Sequence, residues 1–188
     1  MRQDIWTALE ENPIILAVKD GAGLARCMQN DKRVVFVLYG SVATAPDIVA
    51  QLKAAGKLVF VDVDLMDGLS AREAAVDYLA RATAADGIVS TKAALVRRAA
   101  ELGLATVYRT FLLDNMALES LCRAAAQSPA DFVEILPGLM PKLLARLAGQ
   151  LEKPLIASGL IADKEDVVTA LSAGAAAVSS TNPAVWEL

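Results

Sequence analysis

The sequence predicts an α/β fold, a compact TIM-like (β/α)8 barrel in which some crossover helices are shortened. Three observations lead there. Short runs that are apolar at every position recur about eight times, as strands of a parallel sheet covered on both faces do. Each run is followed by a helix-like or turn-like segment, with no long linker and no low-complexity tract, and such alternation implies parallel strands joined by crossovers. The number eight favours closure over an open doubly wound sheet. An open sheet usually carries a glycine-rich loop after its first strand, and Lys19-Asp20-Gly21 is a poor substitute for one. At 188 residues the chain is expected to form one domain over 1–188. That is short of the roughly 250 residues typical of such barrels, so crossovers must be cut down.

Each element follows from local chemistry. Ile5 to Glu10 reads as a short helix able to plug or brace the barrel floor. Pro13 opens the first strand, Ile14 to Val18, and Gly23 to Asn30 is a brief helix. Val34 to Leu38 is the second strand; Pro46 to Ala55 is helical, with Gly56 as its stop. Leu58 to Val61 forms the third strand and runs into Asp62-Val63-Asp64-Leu65-Met66-Asp67-Gly68. Ser70 with Glu73 three places on has the spacing of a capping box for a helix to about Ala82. Gly87 to Val89 leads into Ser90-Thr91-Lys92 and a helix that stops at Gly103. Ala105 to Tyr108 leads to Arg109, and Asp114 caps a helix to about Gln127, broken by Ser128-Pro129. Asp131 to Ile135 is the sixth strand, followed by a helix from about Pro141 to Gln150. Two further units close the set: Leu155 to Ala157 with a helix from about Asp163, and Ala176 to Val178 with a short helical piece.

Composition narrows the function. The net charge of −4 and pI near 4.9 suit a cytoplasmic protein and offer no general attraction to nucleic acid or anionic membrane. Met1-Arg2-Gln3-Asp4 opens a polar segment rather than a signal peptide. No apolar run approaches the ~20 residues of a membrane span. Cys27 and Cys122 sit in helical, apolar contexts and read as free thiols. The chain has no histidine, which excludes His-based triads, His–metal sites and His general bases. No cofactor is implied, and a homo-oligomer is compatible with the sequence.

In barrels of this type the working residues lie at the ends of the strands. That rule selects Lys19, Gly40-Ser41, Asp62, Asp64, Ser90-Thr91-Lys92, Arg109, Glu134, Ser158-Gly159 and Ser179-Ser180-Thr181-Asn182. The last two groups are small polar loops, each before a helix, where many barrels hold a phosphate on loop amides and a helix dipole. Strand alternation puts Asp62 and Asp64 on one side. There they can hold a divalent cation, raise one another's pKa, or accept hydrogen bonds from a polyol. Lys92 is a formal Schiff-base candidate, but nearby carboxylates keep a lysine charged and favour a Coulombic role. Arg109 either clamps a phosphate bidentately or is the buried partner of Glu134. These groups leave three classes open: a phosphate-ester sensor, a phosphosugar epimerase, aldolase or decarboxylase with or without Mg²⁺ at Asp62 and Asp64, and a barrel that has lost ligand binding and serves as an interaction protein.

Several pieces together resemble one family. They are Asp64-Leu65-x-x-Gly68-Leu69, Gly87-Ile88-Val89-Ser90-Thr91-Lys92, Arg109-x-Phe111-Leu112-Leu113-Asp114, Glu134-Ile135-Leu136-Pro137-Gly138, Gly159-Leu160-Ile161, and Ser180-Thr181-Asn182 with Trp186. In order, from about Pro13 to Trp186, they are similar to the glycerol-3-phosphate-responsive antiterminators of glycerol uptake operons. The resemblance implies a TIM-like barrel without known catalysis that binds glycerol 3-phosphate and then acts on the leader mRNA of glycerol genes. It implies no catalytic residue, and a ligand site drawn from Lys19, Asp62, Asp64, Lys92, Arg109, Glu134, Ser158, Gly159 and Ser179 to Asn182. The sequence departs from the family pattern in three places. Asp62 stands where the family usually has histidine, Tyr108-Arg109 where it has Gln-Arg, and Ser158 where it has glycine.

Overall fold

The structure, a computed structural model, describes residues 3–188. Met1 and Arg2, part of the polar start read above, lie outside the described residues. The strands are β1 (Ile14–Val18), β2 (Val34–Val37), β3 (Leu58–Asp62), β4 (Gly87–Ser90), β5 (Ala105–Phe111), β6 (Phe132–Leu136), β7 (Leu155–Ser158) and β8 (Ala177–Ser180). They pair in chain order, all parallel, and β1 closes on β8. Helix α1 (Gln3–Glu11) precedes β1. The strands are then followed by α2 (Gly21–Gln29), α3 (Ala45–Ala54), α4 (Glu73–Ala82), α5 (Ala93–Glu101), α6 (Asn115–Gln127), α7 (Pro141–Gln150), α8 (Lys164–Ser172) and α9 (Pro183–Trp186). A 3-10 turn, Val63–Leu65, continues directly from β3. The expected barrel is therefore present, and it fits a short chain because most crossover helices have nine or ten residues and α9 only four.

Nearly every strand residue is buried, so the face each one occupies is set by register. Ile15, Phe36, Phe60, Val107, Phe132, Ile156 and Ala177 form one interior cluster with Ile5, Ala8 and Leu9 of α1. The short N-terminal helix thus braces the barrel floor, as its sequence suggested. Phe36 and Phe60 meet at 5.4 Å between ring centroids, and Trp6 of α1 stacks on Phe132 at 6.3 Å. Gly87 makes room for this layer: a Cβ there would lie 2.5 Å from both Phe60 Cε1 and the Ala105 carbonyl oxygen. The opposite strand faces pack on the helices, in one cluster toward α2 to α5 and a second toward α6 to α8.

The period of two along a strand carries the interior upward from this apolar layer. Two residues beyond Ile15, Phe36, Phe60, Val107, Phe132, Ile156 and Ala177 come Ala17, Leu38, Asp62, Arg109, Glu134, Ser158 and Ser179. The fold therefore fills its floor with hydrocarbon and its mouth with polar groups.

Two local expectations need revision, and a third holds. Asp114 does cap α6, accepting from Ala117 N. The capping box at Ser70 and Glu73 does not form: α4 begins at Glu73, and its cap residue Arg72 makes no side-chain capping bond. Arg72 N instead donates to the Ser70 carbonyl at 2.8 Å, so a turn occupies the residues the first helical turn needed. Arg109 was expected just beyond its strand, yet β5 runs to Phe111; Glu134, expected near the end of the sixth strand, lies inside β6, which runs to Leu136. Both charges consequently sit inside the sheet, in register with each other. Both cysteines are free. Burial pushes the Cys27 thiol up to about 11 against the charge of Lys57, so it serves as a packed apolar group, while Cys122 is half-buried. No described helix is long and apolar enough to cross a membrane.

Candidate functional site

The polar layer at the mouth is organised by Arg109. Its Nε donates to Glu134 Oε2 at 2.5 Å, and its Nη1 donates to Asp62 Oδ2 across the barrel. Asp62 and Glu134 are each 1% exposed, so both carboxylates depend on this guanidinium for neutralisation. Ser158 Oγ donates to the other oxygen of Glu134, Oε1, at 2.5 Å. The chain Ser158–Glu134–Arg109–Asp62 thus links β7, β6, β5 and β3 through the interior. Two acids against one base leave the group one negative charge in excess. Burial raises the Asp62 carboxyl, Arg109 opposes this, and the charges of Glu134 and Asp64 add to it, so that Asp62 titrates at about 6. Burial lowers Arg109 but the two carboxylates outweigh it, and its pKa is raised.

Asp64 belongs to a different group. The 3-10 turn after Asp62 ends the strand alternation, and Asp62 Oδ1 accepts from Asp64 N at 3.0 Å. The Asp64 side chain is thereby aimed at the loop after β4 rather than along the same face as Asp62. It accepts from Thr91 N at 2.6 Å, Thr91 Oγ1 at 2.7 Å, Ser90 Oγ at 3.1 Å and Lys92 Nζ at 2.7 Å. Burial alone would raise Asp64, but the hydrogen bonds from Lys92 and Thr91 outweigh it and the net shift is downward. Lys92 is held as the counter-ion of a carboxylate, the Coulombic role expected for it and the opposite of what a neutral amine nucleophile requires. Each of the two aspartates has its own cationic partner, and among the described residues no group of three or more Cys, Asp or Glu is arranged to hold a metal.

A cavity of about 410 Å³ opens beside Arg109 and Glu134. The ends of β7 and β8 and the loops after them frame it through Ser158 to Ala162 and Ser179 to Asn182, and Leu136, Leu38 and Ala17 complete the wall. The two loops are stitched together. Ser180 Oγ donates to the Ile161 carbonyl at 2.8 Å, Asn182 Nδ2 donates to the Ala162 carbonyl at 2.8 Å, and Trp186 Nε1 donates to the Ser180 carbonyl at 2.7 Å. Gly159 and Leu160 both have positive φ, +76° and +63°. Glycine adopts this readily, but leucine does so at a cost of order 1–3 kcal/mol. The surrounding hydrogen bonds hold that shape; Gly138 N, for instance, donates to the Gly159 carbonyl at 3.1 Å. The first turn of α8 is already occupied by acids: Asp163 accepts from Asp166 N, and Asp166 accepts from Ala162 N.

The residues selected from the sequence therefore do not share one place, and Gly40 and Ser41 lie apart from the rest, in a hollow with Tyr39, Thr44 and Asp67. Arg109, Glu134, Ser158, Gly159, Ser179, Ser180, Thr181 and Asn182 line the cavity. Asp62 stands behind Arg109, and Asp64 with Lys92 forms the neighbouring cluster. Lys19 lines a separate hollow with Asp20, Arg26 and Trp186 that shares Ala17 and Thr181 with the cavity. Leu136, Leu160 and Ile161 were not selected by sequence, since an apolar wall residue carries no signal apart from its position next to a strand end.

Comparison with known proteins bears on the family and the fold. The model of the family described as glycerol-3-phosphate responsive antiterminator matches residues 14–186. A protein of Escherichia coli strain K12, YgcP, described as uncharacterized, is 42% identical over 96% of this chain and 94% of its own length. The crystal structure of a glycerol uptake operon antiterminator regulatory protein from Listeria monocytogenes superposes with a TM-score of 0.91 at 29% identity, covering 94% of this chain and 95% of that one. A glycerol uptake operon antiterminator-related protein from Thermotoga maritima gives 0.80 at 30% identity, covering 93% and 98%. A deoxyribose phosphate aldolase from Aeropyrum pernix gives 0.71 at 16% identity over 100% and 97% of the two chains, a likeness of fold alone. A barrel whose polar mouth is built on the motifs of one family, matched by that family's model from the first strand to the last helix, leaves one assignment: this chain belongs to the glycerol-3-phosphate responsive antiterminators, a regulatory family rather than an enzyme family.

Proposed function

We propose that this protein binds glycerol 3-phosphate in the cavity between the β7 and β8 loops and, so loaded, prevents termination in the leader mRNA of glycerol genes in the cytoplasm. The observation that supports the ligand reading is the pair of mutually hydrogen-bonded segments at the ends of β7 and β8, Ser158–Ala162 and Ser179–Asn182, at the strand ends where many β/α barrels bind phosphate. In this reading the loop backbone receives the phosphate. The Arg109 guanidinium supplies the cationic end through Nη2, because Nε and Nη1 already donate to Glu134 and Asp62. Glu134 accepts the glycerol hydroxyls, with Ser158 Oγ as the hydrogen-bond donor that a ligand hydroxyl would share or displace. Asp64 and Lys92 shape the adjoining rim. RNA binding is proposed from the family membership; the acidic chain, with net charge −4, requires it to be local rather than a general electrostatic attraction.

Calorimetry with glycerol 3-phosphate, glycerol 2-phosphate and inorganic phosphate tests the ligand assignment. Binding is expected for glycerol 3-phosphate, with the other two weaker by at least tenfold, about 1.4 kcal/mol. Absence of both heat and thermal shift at millimolar ligand would sink the sensor reading. A leader-RNA binding assay with and without the ester then tests the coupling, and RNA binding indifferent to the ester would remove the sensing step.

A further inference from the structure

Beyond the ligand cavity, with which it shares only Leu160, the mouth end of the barrel carries an apolar rim. Phe111 and Leu113 follow from β5, Met116 lies in the first turn of α6, Leu139 precedes α7, and Leu160 precedes α8; all are exposed. Leu113, Met116 and Leu160 are 83%, 76% and 72% exposed. The residues are contiguous because β5, β6 and β7 are neighbours whose loops are laced together. Leu112 N donates to the Leu136 carbonyl at 2.8 Å and Gly138 N to the Gly159 carbonyl at 3.1 Å. Together these side chains present roughly 500 Å² of apolar surface, in the upper part of the range for the largest patch on a monomer, which is itself often functional.

That area has a natural match. A homodimeric interface of standard size takes about 800 Å² from each copy, about 65% of it apolar, or roughly 500 Å². Charge points the same way. The stretch 111–116 carries one charged residue, Asp114, the stretch 136–142 carries one, Lys142, and the loop after Leu160 runs into the mostly acidic Asp163-Lys164-Glu165-Asp166. Asp114 and Lys142 are both exposed. Such a surface lacks the array of cations that a nucleic-acid backbone needs. It suits a two-fold contact, in which an apolar patch meets itself and each residue pairs with a different residue of the other copy.

We propose that a second copy of this chain docks on the rim formed by Phe111, Leu113, Met116, Leu139 and Leu160, giving a two-fold dimer in which Asp114 of each copy faces Lys142 of the other. Sedimentation velocity from about 1 to about 200 µM protein, the range of ordinary transient affinities, reads the association. The wild type is expected to become dimeric within this range. The double variant Leu113→Asp/Met116→Asp, altered only at exposed side chains, is expected to dissociate at least tenfold more readily, with an unchanged melting temperature at dilutions where both proteins are monomeric. Val168→Asp, an exposed apolar residue of α8 outside the rim, is expected to leave the dimer intact. A wild type that stays monomeric throughout, or a dimer that the double variant does not weaken, overturns the proposal. Loss of leader-RNA binding by the double variant of a monomeric wild type would assign the rim to RNA and overturn it equally.

Discussion

Replacing Arg109 by methionine removes the one cation that two buried carboxylates share. Methionine keeps most of the aliphatic bulk, so the change is electrostatic rather than a cavity. Asp62 and Glu134 are each 1% exposed, and taking one partner from a buried ion pair costs about 3–5 kcal/mol because the remaining charge stays desolvated. The cost should depend on pH with a definite sign. Asp62 already titrates at about 6 in the folded wild type, against ~3.9 for an unfolded aspartate. Between those values the folded state holds a proton that the unfolded state has released. The associated stability is complete below about pH 4 and is lost as pH rises through about 6, on the order of 3 kcal/mol. Without Arg109, the influence that opposes this shift is gone, and the window extends to higher pH. Urea titrations of both proteins at pH 5 and pH 7.5 should therefore show a deficit of about 3–5 kcal/mol at pH 7.5 that is smaller at pH 5, where protonation replaces the missing cation. Asp62→Asn supplies the control, since it should lack the acid-side gain. A deficit below about 1 kcal/mol, the scale of an exposed ion pair, or one that is the same at both pH values would refute the reasoning.

Two further outcomes follow from the interior. Ser158→Gly removes the donor to Glu134 Oε1 and should cost about 1–3 kcal/mol in stability. Because it frees that oxygen for a ligand hydroxyl and exposes the backbone at the end of β7, calorimetry should show tighter glycerol 3-phosphate binding; weaker binding would mean that Ser158 belongs to the ligand contact itself, and unchanged binding that Glu134 Oε1 does not meet the ligand. Gly87→Ala places a Cβ 2.5 Å from Phe60 Cε1 and the Ala105 carbonyl, and denaturant titration should register a loss of about 1–3 kcal/mol from overpacking. Wild-type stability in that variant would mean the floor of the barrel is looser than its packing indicates.

The strand and helix order, the closure at eight, the short crossovers, the α6 cap at Asp114 and the polar loops after β7 and β8 were legible from the sequence, because each rests on local chemistry. Runs such as Ile14 to Val18 are apolar throughout since both faces are covered, glycines such as Gly56 end helices at positive φ, and small polar residues cluster where a strand gives way to a loop. The same uniform burial explains what was hidden. A strand buried on both faces carries no alternation from which its inner side can be read. Only the register of the closed barrel places Asp62, Arg109, Glu134, Ser158 and Ser179 in one layer above the phenylalanines of the floor. The partition of the charges was hidden for a related reason. Asp62 and Asp64 are two residues apart, and strand geometry would aim them together, but the 3-10 turn at Val63–Leu65 sends one to Arg109 and the other to Lys92. Sequence thus determined which chemical groups stand around the mouth, whereas the tertiary structure decided which of them neutralise one another and which remain to face a ligand, because pairing across a barrel depends on distances between strands that no local pattern encodes.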